Sequence, residues 1–139
     1  MKILFDTNIL LDVFLEREPF YDSSFTSVAI AERNVIEGWL SGTTVTTLYY
    51  LLQKGLSKKS ADKHLKNILK VFHIAPVNRA VLEDAITGKF TDYEDSVLHQ
   101  VAIHSGLDGI LTRNQKDFKN CTLPVYSPQE LLNSLDALS

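Results

Sequence analysis

Asp6, the pair Asp92 and Asp95, and Asp117 are the side chains whose type and spacing point to shared chemistry. Asp6 follows the apolar run Ile3-Leu4-Phe5 directly, so it belongs at the carboxyl end of a first strand. Asp92 and Asp95 fall in the first turn of a helix, three residues apart and hence on one face. Asp117 comes shortly after a strand that ends at Thr112, with Asn114 between. In a parallel sheet such strand ends share one edge, which is where open α/β sheets bind ligands. Several carboxylates gathered there repel one another unless a cation sits among them, and hard oxygen ligands suit Mg²⁺ or Mn²⁺. Ions of this kind clamp phosphates and activate water for attack on phosphorus. Each position also has a plainer reading. Asp6 and Asp117 serve equally as turn or cap residues, and acids at a helix start are favoured by its dipole. Glu94 is expected on a different face, in solvent.

The elements that must position these groups follow from periodicity. Ile3-Leu4-Phe5 has no polar alternation, as suits a strand buried on both faces. Asn8 is the expected N-cap of a first helix to about Leu15, broken ahead of Pro19. A second helix is expected from Phe20 to about Asn34, with Phe20, Ser24, Ser27, Val28 and Ala31 on its packed face. Gly38–Ser41 reads as a strand. Val45, Leu48, Tyr49 and Leu52 then mark a helix capped by Gly55. Ser57 caps the next helix, to about Val71, where Lys59, Lys63, Lys66 and Lys70 form one stripe. That stripe is either a solvated surface or a phosphate-contacting face. Phe72–Ala75 is a short strand in which His73 reads as structural. Asn78 opens a helix through Ile86. Thr91-Asp92-Tyr93-Glu94-Asp95 opens another, carrying Val97, Leu98, Val101 and Ala102 and ended by Gly106. Gly109–Thr112 is a buried strand and Leu123–Val125 an edge strand. Ser127, Pro128 and Glu130 start the last helix as cap, first helical residue and capping-box partner. Strand and helix alternate throughout, so the expected class is α/β with a parallel sheet.

The 139 residues suit one domain, and 45% hydrophobic residues suffice for a core. The net charge of -3 gives no global attraction to nucleic acid, so such a partner must be held by a local patch or through metal. The single cysteine, Cys121, excludes an internal disulfide and a cysteine-based zinc cage. No apolar stretch has spanning length, and the first apolar run breaks at Asp6, so neither a membrane span nor a signal peptide is expected. The expected location is cytoplasmic.

Phe5-Asp6-Thr7-Asn8, Asp92-Tyr93-Glu94-Asp95 and Thr112-Arg113-Asn114-Gln115-Lys116-Asp117-Phe118 resemble, in that order, the motifs of the PIN-domain family. The ending Pro124-Val125-Tyr126-Ser127-Pro128-Gln129-Glu130-Leu131 is similar as well, so the resemblance spans essentially the whole chain. It implies one domain over residues 1–139, three α/β/α layers around a short parallel sheet, and metal-dependent ribonuclease chemistry on RNA. It also implies a VapC-type toxin, with a small antitoxin as partner and often a homodimer. On this resemblance Asp6, Asp95 and either Asp117 or Asn114 line a Mg²⁺ or Mn²⁺ site, which Asp92 supports. Thr7, Asn8 and Thr112 position ligands or water. Two departures stand out. Thr47 falls where the family usually carries a Glu, and Asn114 replaces a frequent Asp. Asp92 is the expected compensation for the missing Glu.

The leading functional expectation is therefore a metal-dependent endoribonuclease with Asp6, Asp92, Asp95 and Asp117 in its catalytic set. Arg113 and Lys116 are expected to hold flanking phosphates. A non-catalytic PIN-like module binding RNA or protein, with a degraded metal site, is the alternative that Thr47 favours. A phosphotransfer domain using Asp6 as acceptor is a third class. A dehalogenase-like version would want a second Asp two residues on, where Asn8 stands.

Overall fold

A computed structural model of the chain describes residues 1–138. The first apolar run is β1 (Lys2–Phe5), the middle strand of one sheet. It is flanked by β2 (Glu37–Ser41) and β3 (His73–Ala75) on one side and by β4 (Gly109–Leu111) and β5 (Val125–Tyr126) on the other. The order is β3-β2-β1-β4-β5 and every pairing is parallel. Side chains of β1 alternate between two cores. Ile3 and Phe5 join residues of α1 (Thr7–Phe14), α2 (Tyr21–Glu32), α3 (Gly42–Gly55), α4 (Lys58–Val71) and α7 (Pro128–Leu138). Leu4 joins residues of α5 (Arg79–Ile86) and α6 (Tyr93–His104) on the opposite face. The expected three layers are present, and both faces of the sheet are covered, which is why β1 lacks polar alternation.

From β1 the chain builds outward to β2 and β3, then returns to build β4 and β5 on the other side. The carboxyl ends of β1 and β4 therefore form the switch point of the sheet, where crossovers on opposite faces leave a crevice. Asp6 extends the pairing one residue past β1, its N–H donating to the Leu111 carbonyl at 2.9 Å.

Several element boundaries differ from the sequence expectation. Helix α1 starts two residues earlier than an Asn8 cap implies, with Asp6 at the N-cap position. The Asp6 side chain does not cap it, because its carboxylate is taken by Thr112 instead. Phe20 precedes α2 and is 38% exposed rather than packed on that helix's inner face. Gly55 stays inside α3, and Leu56 takes the cap. Strand β5 starts only after Pro124, which has no N–H to give, although the Pro124 carbonyl accepts from Ile110 N at 3.0 Å.

One polar cluster ties the switch point to the helical layer. Asp12 of α1 is fully buried. Arg113 Nε donates to its Oδ2 at 2.8 Å and Nη2 to its Oδ1 at 3.2 Å, a two-point grip. Ser24 Oγ of α2 donates to the same carboxylate at 3.1 Å, and Phe20 lies 4.1 Å from the guanidinium. The residue after Thr112 is thereby fastened to two helices. Arg113→Ala strands a buried charge and is expected to cost about 3 kcal/mol. A double change of Asp12 and Arg113 to Leu should cost less than that single change, since no unpaired charge remains. Urea unfolding of the three proteins reads the ranking, and a loss below about 1 kcal/mol for Arg113→Ala would mean that water satisfies Asp12.

Candidate functional site

The switch point opens into a cavity of about 220 Å³. Asp6, Thr7 and Asn8 line it from the β1–α1 junction, Glu94 and Asp95 from the start of α6, and Asn114 and Asp117 from the segment after β4. Thr43, Thr44, Thr47 and Leu51 of α3 form another wall. The acidic loci separated by most of the sequence thus reach one concavity.

Each carboxylate is held differently. Asp6 is 8% exposed, and the hydroxyl of the fully buried Thr112 donates to its Oδ2 at 2.8 Å. The same hydroxyl accepts the Asn114 N–H at 3.0 Å, so one threonine fixes both Asp6 and the backbone of Asn114. Burial raises the Asp6 pKa above its ordinary value, with the Asp117 charge adding to the effect, against the Thr112 hydroxyl and the Thr7 N–H that favour the charged form. Asp95 is pushed up to about 7, first by burial and then by the charges of Asp92, Asp6, Asp117 and Glu94. Asp92 caps α6, its carboxylate accepting the Asp95 N–H at 3.2 Å.

Other expected residues fall into separate places. Asp92 acts on the site through this cap and through its charge, and it does not line the cavity. Glu94, expected in solvent, lines the cavity although it is exposed. Side chains of a first helical turn tilt toward the N-terminus, and that end of α6 meets the cavity. Arg113 is held by Asp12 and lies outside the lining, as does the exposed Lys116 of the 3-10 turn Gln115–Phe118. Thr47, where the family's Glu is expected, does face the cavity. Thr43 and Thr44 were not expected there. The signal for them was their position directly after β2, on the same sheet edge as Asp6. Lys59, Lys63, Lys66 and Lys70 line a separate cleft on α4 together with Asp62 and Asn67.

Among the described residues, the lining offers oxygen donors only, with four carboxylates and no Lys, Arg, His or Cys. Among the described residues no three His, Cys, Asp or Glu side chains stand close enough to enclose an ion by themselves. Mg²⁺ keeps several waters and takes one or two carboxylates directly. A partly hydrated hard divalent ion therefore fits this donor set, with the other carboxylates reaching it through water.

Asp95 makes that charge balance measurable. Its folded pKa of about 7 lies above the ordinary 3.8, so the folded state binds the proton more tightly than the unfolded chain. Stability contributed by this group is accordingly lost as pH rises across that window and stays lost above it. Asp95→Asn in chelator at pH 8 should melt higher than the parent, by roughly 1 kcal/mol after solvent screening. The advantage should vanish in acid, and excess Mg²⁺ or Mn²⁺ should reverse the ranking by stabilising the parent. A variant less stable than the parent at every pH, beside a parent indifferent to metal, would reduce Asp95 to a helix-start residue.

Known proteins share this fold. A family model described as PIN domain matches residues 2–116. Ribonuclease VapC1 of Aquifex aeolicus (strain VF5) is 29% identical over 142 residues, covering 99% of this chain and 97% of the relative. VapBC2 of Rickettsia felis, solved with a DNA fragment from its promoter, superposes with a TM-score of 0.72 at 18% identity, over 91% of this chain and 98% of that one. A toxin–antitoxin complex from Klebsiella pneumoniae superposes with a TM-score of 0.68 at 24% identity, over 91% of this chain and 97% of that one. With its motifs in order, the expected parallel sheet present and the family model matched along most of its length, the chain belongs to the PIN-domain family.

Proposed function

We propose that the chain is a metal-dependent endoribonuclease that hydrolyses RNA phosphodiester bonds and acts as the toxin of a toxin–antitoxin pair. The observation that carries this reading is the set of carboxylates at the switch point, with Asp95 pushed up to about 7 and no basic side chain among the lining residues. The Aquifex relative is named a ribonuclease, and toxin–antitoxin complexes are among the structural neighbours, which supports the same reading. A small antitoxin is the proposed protein partner. A homodimer belongs to the proposal too, supported by the exposed apolar side chains Leu82, Ile86 and Tyr93 around one cleft.

Asp6 and Asp95 are the residues that would hold Mg²⁺ or Mn²⁺ directly, with Asp117, Glu94 and Asn114 reaching it through water. When bound, such an ion supplies a water of lowered pKa and charge stabilisation at the phosphate. The chain's own residues do the rest. Thr112 fixes the Asp6 carboxylate through its 2.8 Å hydrogen bond. Asp92 fixes the backbone that carries Asp95. Thr7 and Asn8 line the cavity as neutral hydrogen-bonding groups that orient a water or a phosphate oxygen without adding repulsion.

One observation favours the second reading, a PIN-like module without catalysis. Thr47 faces the cavity and brings no charge. Glu94 is a better candidate than Asp92 to replace it, because Glu94 lines the cavity and Asp92 does not.

Cleavage of end-labelled single-stranded RNA tests the choice. Mg²⁺ or Mn²⁺ should be required, and chelator should stop the reaction. Thr112→Val, which keeps shape and removes the bond to Asp6, should lower metal affinity or rate by about 10–100-fold. Parent protein inert in excess metal, with activity appearing only in Thr47→Glu, would establish the second reading instead.

A further inference from the structure

Among the described residues, none that lines the cavity is Lys or Arg, and the guanidinium of Arg113 is committed to Asp12. A polyanion that enters must therefore be held from beyond the carboxylates. The α3 wall leads to such a place. Thr43 and Thr47 line the cavity, and Tyr50 and Lys54 follow them at helical spacing, so that Thr43, Thr47, Tyr50 and Lys54 form one stripe. Leu51, next to Tyr50, still lines the cavity, so the stripe leaves it at Tyr50. The core uses the other side of the helix, where Leu48 and Leu52 are fully buried.

Two neighbouring tyrosines show the contrast. Tyr49 packs against the core and donates its hydroxyl to Asp62 at 2.5 Å. Tyr50 is 56% exposed and belongs to neither core. Lys54 Nζ stands 4.7 Å from the Tyr50 ring centroid. Among the described residues, Lys54 forms no ion pair with a carboxylate. An exposed ring beside an unpaired ammonium is the combination that holds single-stranded nucleic acid, by stacking an unpaired base and meeting its phosphate. A base inside a duplex offers no free face to such a ring.

We propose that Tyr50 and Lys54 form a nucleotide subsite at the rim of the cavity, where one unpaired base of a single-stranded RNA stacks on Tyr50 and the adjoining phosphate pairs with Lys54. The subsite rests on the ribonuclease reading and specifies which RNA that site accepts. It places the strand along α3, with the scissile phosphate at the carboxylates and the flanking nucleotide outside them.

Fluorescence anisotropy with a labelled single-stranded RNA of about twelve nucleotides, in Ca²⁺ to slow turnover, tests it, alongside cleavage kinetics in Mn²⁺. Tyr50→Ala should weaken binding roughly tenfold, while Tyr50→Phe stays near the parent. Lys54→Gln should weaken binding several-fold and lower the slope of log Kd against log salt by about 0.7, the share of one phosphate contact on a single strand. Both losses should appear in KM, with kcat and the metal-dependent rise in melting temperature unchanged. RNA annealed to its complement should be indifferent to Tyr50→Ala. Parental affinity in both Tyr50→Ala and Lys54→Gln, in a protein that still binds and cuts RNA, overturns the subsite and leaves the ribonuclease reading standing. Parental RNA affinity together with weakened self-association would assign the pair to a protein interface and overturns it as well. A parent that neither binds nor cuts RNA removes the ribonuclease reading, and the subsite with it.

Discussion

Burial of the Asp6 carboxylate next to other carboxylates, at the point where the strand order of a parallel sheet reverses, is the constraint on which this molecule turns. A carboxylate leaving water loses hydration, and like charges nearby deepen the loss. Asp6 carries both penalties, as its raised pKa records. It stays in place because its backbone is part of the β1–β4 pairing and its side chain is gripped by Thr112, itself fully buried. The flanking strands, filled on both faces by Ile3, Leu4, Phe5, Ile110 and Leu111, supply the rigidity against which that unfavourable placement is held. Strain of this electrostatic kind is common where function needs charge already in position.

Arg113 shows how the fold divides its charges. Placed one residue after Thr112, its guanidinium was well sited to neutralise Asp6, and it does lower the Asp6 pKa slightly from a distance. Its hydrogen bonds go to Asp12, a carboxylate facing the helical layer. Arginine suits that task because its planar fork meets both carboxylate oxygens at once. Among the described residues, the pairing leaves the cavity lining without a basic side chain. An arginine turned inward would have neutralised the carboxylates, relieved the repulsion and competed with any metal for them. Keeping it on Asp12 fastens the β4 loop and leaves the cavity's carboxylates without its neutralising charge.

Much of this could be read in the sequence, and the failures share a cause. Asp6, Asp95 and Asp117 were legible because a charge that interrupts an apolar run, or opens a helix, marks a local boundary. Asn78, Ser57 and Ser127 were legible for the same reason, since their side chains accept N–H groups only three residues on. What escaped depended on distant contacts. Nothing near Phe20 announces that it will lie against Arg113 rather than in the core. The Asp12–Arg113 pair joins two residues 101 apart in sequence that local rules would leave in solvent. Glu94 failed differently. Helical periodicity sorts faces correctly in mid-helix, but at a helix end the side chains fan toward the terminus, and neighbours on different faces can meet the same cavity.

Glu94 and Thr47 are best understood together. In the proposed reading, the negative charge that the family resemblance places on α3 is absent at Thr47, and an acidic side chain at the start of α6 lines the same cavity. A glutamate at position 47 would sit between the remaining carboxylates and the stripe that continues through Tyr50 and Lys54, and would repel each phosphate passing along it. Threonine leaves that wall neutral, so the α3 side runs from neutral hydroxyls to an aromatic ring and a lysine while the acidic groups lie at the β1–α1 junction, on α6 and on the segment after β4. In the proposed reading a cation would be held among those acids, and a strand lying along α3 would reach it past the side chains of Thr43, Thr47 and Tyr50, which carry no charge.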